Sequence, residues 1–216
     1  MRTRIVSWSA WAIAFSSIAL TSFFAFASPD SELPFYSGSD FMPDWRGSAH
    51  RVGEFSLLDQ TGGGFTDRDL RGRVHLASFI YTRCSGVCPA LVTSLRRVDR
   101  AVRDDRFRIV SYSVTPDLDP PPVLAAFGND RGINPSRWIL ATGDKAEIFR
   151  LARESYFASD EVMSKTLADP NAFLHTEKLI LVDAAGKLRG VYDGTFPSDV
   201  DHAIADARQL LGKSPL

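Results

Sequence analysis

An apolar run from Val74 to Tyr81 leads straight into Thr82-Arg83-Cys84-Ser85-Gly86-Val87-Cys88-Pro89. A helical pattern leads out of it, with Leu91, Leu95, Val98 and Val102 spaced by four, three and four residues. Strand, loop and helix in that order put the loop at the carboxyl end of a buried strand, which is where open α/β sheets keep their sites. The loop carries the only two cysteines of the 216-residue chain, with three residues between them.

The chemistry of the pair follows from its position. Pro89 suits a first helical turn, where its missing N–H would go unpaired in any case. Cys88 then falls at or near the helix N-cap, where partial positive charge favours thiolate over thiol. Arg83 adds to this if its side chain folds back. Two neighbouring thiolates can close a disulfide or grip one soft metal ion. A purely structural disulfide is the duller alternative, but a loop this short stabilises little by chain entropy.

Composition sets outer limits. The chain is 44% hydrophobic and 24% charged, with a formal net charge of −1, so it has no basic footprint for nucleic acid. Its length suits one domain with a tail. Met1-Arg2-Thr3-Arg4 precedes a mostly apolar run from Ile5 to Ala27. Ala25-Phe26-Ala27 fits a small-x-small cleavage site, so residues 1–27 read as a signal peptide. The run is also 23 residues long, enough for a membrane anchor, although its serines and threonines weaken it in that role. Either way, the arginines keep the N-terminus in the cytoplasm and residues beyond about 28 on the other side, periplasmic or extracytoplasmic. Disulfides are permitted there, so a lone close pair is a working redox or metal pair or is kept reduced by a partner.

Residues 28–50 read as a tether, with Phe35, Tyr36, Phe41 and Trp45 expected to pack on the domain edge. Residues 51–216 read as one domain. Val52 to Leu58 predicts a first strand, and Asp59 to Gly64 a turn. Phe107 to Val114 is the next strand after the cysteine helix (89–103). Thr115-Pro116-Asp117-Leu118-Asp119-Pro120 then turns and caps a helix over 121–130. Trp138 to Ala141 is a short strand, and Thr142-Gly143-Asp144 caps another helix. Residues 156–174 lack clear periodicity, and a loop that long is usually functional or mobile. His175 to Asp183 and Leu188 to Tyr192 read as a hairpin turning at Ala184-Ala185-Gly186-Lys187, and 198–212 as a last amphipathic helix. The expected fold is α/β and thioredoxin-like: a central mixed sheet flanked by helices, with an N-terminal extension and an inserted loop before the last hairpin.

Of the four histidines, His50 lies in the tether, His75 inside a strand and His202 on the terminal helix. Each reads as incidental. His175 differs, because it sits where the long loop enters a strand, an edge position that can face the cysteine loop. Two thiolates and one imidazole suit a soft monovalent ion. Zinc is a rival, but three ligands and an open position would suggest hydrolysis, and no general base stands near.

The chain resembles the Sco/SenC family, thioredoxin-like copper proteins linked to assembly of cytochrome c oxidase. The resemblance spans roughly residues 51–195. It rests on Phe79-Ile80-Tyr81-Thr82-Arg83-Cys84 with Cys88-Pro89, on Ser113-Val114 with Pro116 and Asp119, on His175, and on Leu181-Val182-Asp183 with Gly186, Gly190 and Tyr192. It implies that Cys84, Cys88 and His175 bind a copper ion, and that the N-terminal segment is retained as a membrane anchor. The sequence departs from the family at three places near the proposed site. Ser85 and Gly86 stand where Pro-Asp is common, Thr115 stands where Asp precedes Pro116, and Leu174 stands where Asp precedes the histidine. Each change removes an acidic group, and outer-shell partners of that kind tune metal affinity.

Two functions from different classes fit. One is a metallochaperone that passes copper to the copper-binding subunit of cytochrome c oxidase, or to another copper or thiol client. The other is a thiol–disulfide oxidoreductase that works on client cysteines through a Cys84–Cys88 disulfide. A peroxidase on the same fold would need a lone activated cysteine with a supporting arginine, and no arginine stands at a convincing spacing. Metal binding needs His175, whereas dithiol exchange does not.

Overall fold

The computed structural model describes residues 32–84, 86, 88–158 and 176–213. The apolar run Ile5 to Ala27, residues 159–174 of the long loop, and His175 lie outside the described residues. No helix among the described residues is long and apolar enough to cross a membrane.

The central sheet has five strands, in the order Trp138–Ala141, Phe107–Ser113, Val74–Ile80, Lys178–Val182, Leu188–Asp193. Its middle strand, β3 (Val74–Ile80), is buried at every position, because both of its faces are covered. Val74, Leu76 and Ile80 point to one core and Ala77 and Phe79 to the other, which is the two-residue period of a strand. β4 (Phe107–Ser113) pairs parallel to β3, and β5 (Trp138–Ala141) pairs parallel to β4. β6 (Lys178–Val182) runs antiparallel to β3, and β7 (Leu188–Asp193) antiparallel to β6. This is the thioredoxin-like arrangement expected from the pattern around the cysteines.

Helix α1 (Cys88–Ala101) buries Leu91, Val92, Leu95 and Val98 on one face of the sheet. The same core takes Leu124 and Phe127 of α2 (Pro121–Asp130), and Val200, Ala203, Ile204 and Ala207 of α4 (Pro197–Lys213). The opposite face is covered by a small hairpin, β1 (Ser56–Leu58) with β2 (Gly64–Thr66), and by α3 (Lys145–Arg150). Asp144 caps α3 through its carboxylate, which accepts the Glu147 N–H at 2.8 Å. α3 continues as a π-helical turn, Leu151–Ser155, that delivers Tyr156 into the core.

The first strand is shorter than the predicted Val52 to Leu58, and it belongs to a separate two-stranded sheet. The chain ahead of it is not laddered: Val52 N–H donates to the Gly186 carbonyl, Gly53 N–H to Ser155 Oγ, and the Glu54 carbonyl accepts from Arg150. At the end of β1, Leu58 exchanges two backbone hydrogen bonds with Thr142. The buried Gln60 side chain donates to the Trp138 carbonyl and accepts from Leu140 N–H, both at 2.9 Å.

On the other flank, the segment from Leu33 lies along the β6–β7 hairpin. Tyr36 N–H donates to the Leu188 carbonyl, and the buried Arg189 donates to the carbonyls of Leu33 and Pro34. The Arg189 guanidinium also stacks 3.9 Å from the Phe35 ring centre, and the Phe41 ring faces Lys178. Trp45 departs from expectation: it is 63% exposed and does not pack on the edge.

Candidate functional site

β3 ends at Ile80, and the chain turns at once. The Tyr81 carbonyl accepts Cys84 N–H at 3.4 Å, and α1 begins at Cys88 with Pro89 in its first turn. Both cysteines are free thiols. Cys88 is buried, and Cys84 is half-buried at the loop surface. Cys88 N–H, the first amide of the helix, points at Cys84 Sγ at 3.4 Å.

This geometry reverses which sulfur the helix end serves. For Cys84, burial works against the thiolate. Hydrogen bonds from the Cys88 thiol, the Cys88 and Gly86 amides and the Tyr81 hydroxyl outweigh it and hold the Cys84 thiol below its ordinary value. Cys88 is pushed up to about 12, first by burial and then by its bond to Cys84 and the charge there. The helix-stabilised thiolate expected at Cys88 is thus found at Cys84, because the Cys88 amide points at its neighbour's sulfur. Arg83 is exposed, and it is not among the groups that shift Cys84.

The loop is also tied from below by a residue whose role the sequence hid. Asp119 was expected within a capping turn, but α2 has Pro120 at its N-cap and no side-chain cap. The Asp119 carboxylate is fully buried instead. It accepts from Thr82 Oγ1 at 2.5 Å, Thr82 N–H at 3.1 Å, Ser113 Oγ at 2.6 Å and Thr115 Oγ1 at 3.0 Å. Thr115, which stands at one of the three departures from the Sco/SenC pattern, is thus a donor to Asp119. Nothing in the spacing of these residues signals that they meet, because Thr82 and Asp119 belong to loops after different strands.

The other candidates resolve one by one. His175 lies outside the described residues, as do Ser85 and Leu174. His50 donates from Nε2 to the Ser155 carbonyl at 2.9 Å and packs on Phe157. His202 is exposed on α4. His75 is buried, with Nε2 3.2 Å from the Tyr156 hydroxyl, which in turn lies 2.9 Å from the Tyr112 hydroxyl. Burial pushes the His75 imidazole down to about 3, and the Arg73 backbone only partly opposes this. Among the described residues, no three His, Cys, Asp or Glu side chains gather as a metal site. A cavity of about 480 Å³ lined by Arg51, Arg71 and His75 lies at the start of β3, the far end from the cysteines.

What remains at the carboxyl end of β3 is a surface dithiol. One sulfur is accessible and thiolate-prone, and its neighbour is buried and protonated. The donor set is soft, which suits a soft ion or another sulfur and does not suit a hard cation.

Comparison with known proteins agrees with this layout. The chain is 30% identical to protein SenC of Rhodobacter capsulatus over 177 residues, which are 78% of this chain and 76% of that protein. It is similar to BsSco, a member of the Sco family of cytochrome c oxidase assembly proteins, at 26% identity and TM-score 0.63 over 74% of this chain and 93% of that one. It is also similar to Bradyrhizobium japonicum ScoI, solved with copper bound, at 26% identity and TM-score 0.58 over 75% and 99%. The SCO1/SenC family model matches residues 43–212, and the chain belongs to that family.

Proposed function

We propose that the chain is a copper-binding metallochaperone that carries copper to a thiol-bearing client, the copper subunit of cytochrome c oxidase in the first instance. The observation that carries this is the pair of free thiols in hydrogen-bond contact at the carboxyl end of β3. Likeness to the copper-bound ScoI supports it. Cys84 and Cys88 supply the thiolates that suit copper(I), and His175 supplies an imidazole that also makes copper(II) tolerable. Copper is cargo here, so the site needs exchangeable ligands at the surface and no enclosed cavity. The domain works outside the cytoplasm, held by the segment from Ile5 to Ala27. A reporter fused after Leu216 is then active only on the non-cytoplasmic side.

The asymmetry of the sulfurs favours a second reading, thiol–disulfide exchange. The Cys84 thiolate attacks a client disulfide, forms a mixed disulfide and expels one client thiolate. Cys88 then loses its proton and attacks Cys84 Sγ, releasing the second client thiolate. The client disulfide is reduced to two thiols, and Cys84–Cys88 is oxidised to a disulfide.

Three variants separate the readings. Cys84→Ser or Cys88→Ser abolishes both copper binding and exchange. His175→Ala weakens copper binding by at least ~10-fold and leaves disulfide formation intact. Metal content and thiol count are measured on protein purified without oxygen. If His175→Ala binds copper like the parent, the carrier reading fails and the oxidoreductase reading replaces it.

A further inference from the structure

We propose that Asp119 is the positioning residue of the cysteine loop, acting through Thr82 to hold the dithiol in its reduced arrangement. The inference rests on reading Cys84 and Cys88 as a working pair. Asp119 is anchored first by its own backbone, whose N–H donates to the carbonyls of Thr115 and Pro116. Ser113 and Thr115 fix its carboxylate from the β4 side. The two bonds that remain both go to Thr82, one to its hydroxyl and one to its amide. A residue held by both its side chain and its backbone is not free to rotate, and Thr82 is two residues before Cys84.

The next link is the Cys84 N–H bond to the Tyr81 carbonyl, and the one after is Cys88 N–H to Cys84 Sγ. Asp119, Thr82, the loop and the sulfur therefore form one connected path. That path exists in the free-thiol state described here. Its last link, Cys88 N–H to Cys84 Sγ, is strongest when that sulfur is a thiolate and weak when it is bonded into a disulfide, so weakening the path penalises the dithiol relative to the disulfide and makes the disulfide harder to reduce. Stabilising the reduced form is what makes a couple oxidising, and losing that stabilisation has the opposite effect.

The test reads the thiols without copper. The full chain, purified in detergent, is equilibrated with mixtures of dithiothreitol and its cyclic disulfide. Two electrons and two protons pass from the dithiothreitol dithiol to the Cys84–Cys88 disulfide, and the free thiols are counted by alkylation. Thr82→Val, which keeps the backbone bond and removes the hydroxyl bond, should lower the equilibrium constant for reduction at least ~10-fold, about 30 mV. Thr82→Ser should behave as the parent. Ser78→Ala removes a buried hydrogen bond to Ser111 in the middle of β3. It should lower Tm without moving the potential. Asp119→Asn should move it in the same direction as Thr82→Val.

An unmoved potential in Thr82→Val, or an equal shift in Ser78→Ala, overturns the proposal. Should Thr82→Val fail to fold, Asp119→Asn against Ser78→Ala decides by the same criterion. Copper content of the parent is measured separately. A parent that binds none sinks the carrier reading and leaves this test unaffected.

Discussion

His75 should make this protein acid-sensitive between about pH 3 and 6.5, alongside its carboxylates. In the native state its imidazole is buried against Tyr156 and held neutral, titrating at about 3 where the ordinary value is 6.5. Between those two values the unfolded chain binds a proton that the native state does not, so stability rises with pH across the window. The contribution is whole above about pH 6.5 and is lost progressively as pH falls toward about 3. Each pH unit inside the window costs about 1.4 kcal/mol, so moving from pH 7 to pH 4 removes roughly 3 kcal/mol through this residue. Asp104, held down to about 2 by Arg106, makes its contribution lower on the scale. The perturbation is His75→Leu, which leaves the Tyr156 hydroxyl short of a partner and lowers stability at pH 7 by about 1 kcal/mol. The assay is urea unfolding at pH 7, 6, 5 and 4 on both proteins. With a slope of about 2 kcal/mol/M, the parent should lose roughly 1.5 M more of its midpoint than His75→Leu between pH 7 and 4. Parallel midpoint-against-pH curves for the two proteins would refute the buried neutral imidazole.

Two further outcomes follow from other parts of the structure. Cys84 is the thiolate-prone, accessible sulfur, so at pH 7 the Cys88→Ser protein should react with iodoacetamide at least ~10-fold faster than the Cys84→Ser protein; equal rates would remove the asymmetry. Arg189 is 7% exposed and binds Leu33, Pro34 and Asp183 at once. Arg189→Ala should cost about 3 kcal/mol and make the segment over 33–45 the first site of limited proteolysis; cleavage that still starts elsewhere would show that the arm is held by other contacts.

The elements nearest the cysteines were readable because each repeats a simple period. Val74 to Ile80 is apolar except for His75 and Ser78, and α1 follows its predicted face from Leu91 to Val98. Asp144 capped where its position before a helical pattern said it would. The misses share a physical cause: their partners are distant in sequence. Whether Val52 to Phe55 ladders depends on Gly186 and Ser155. Whether Asp119 caps or turns inward depends on Thr82. The Cys88 error is of another kind. The helix-end field was read correctly, but burial of Cys88 and the direction of its N–H decide which sulfur receives it. The π turn over Leu151–Ser155 leaves no mark in composition, yet it sets the depth of Tyr156 and through it the neutrality of His75. Of the three residues proposed to bind copper, Cys84 and Cys88 fall within the described residues and His175 does not.

The side chain of Gln60 has a consequence for how this molecule meets others. β5 is an outer strand, and its outward-facing groups at Trp138 and Leu140 are paired by the Gln60 amide, with Leu58 taking Thr142 beyond them. One glutamine imitates the missing neighbour strand. On the opposite border, Tyr36 occupies the Leu188 carbonyl of β7, and the Phe35 and Arg189 stack lies over the same border. Open strand borders are where chains add to one another, into dimers or fibrils. A chain adding at these positions would first have to displace Gln60 from β5 or Tyr36 from β7. The Cys84 sulfur lies away from both borders, at the end of the sheet where the loop after β3 emerges.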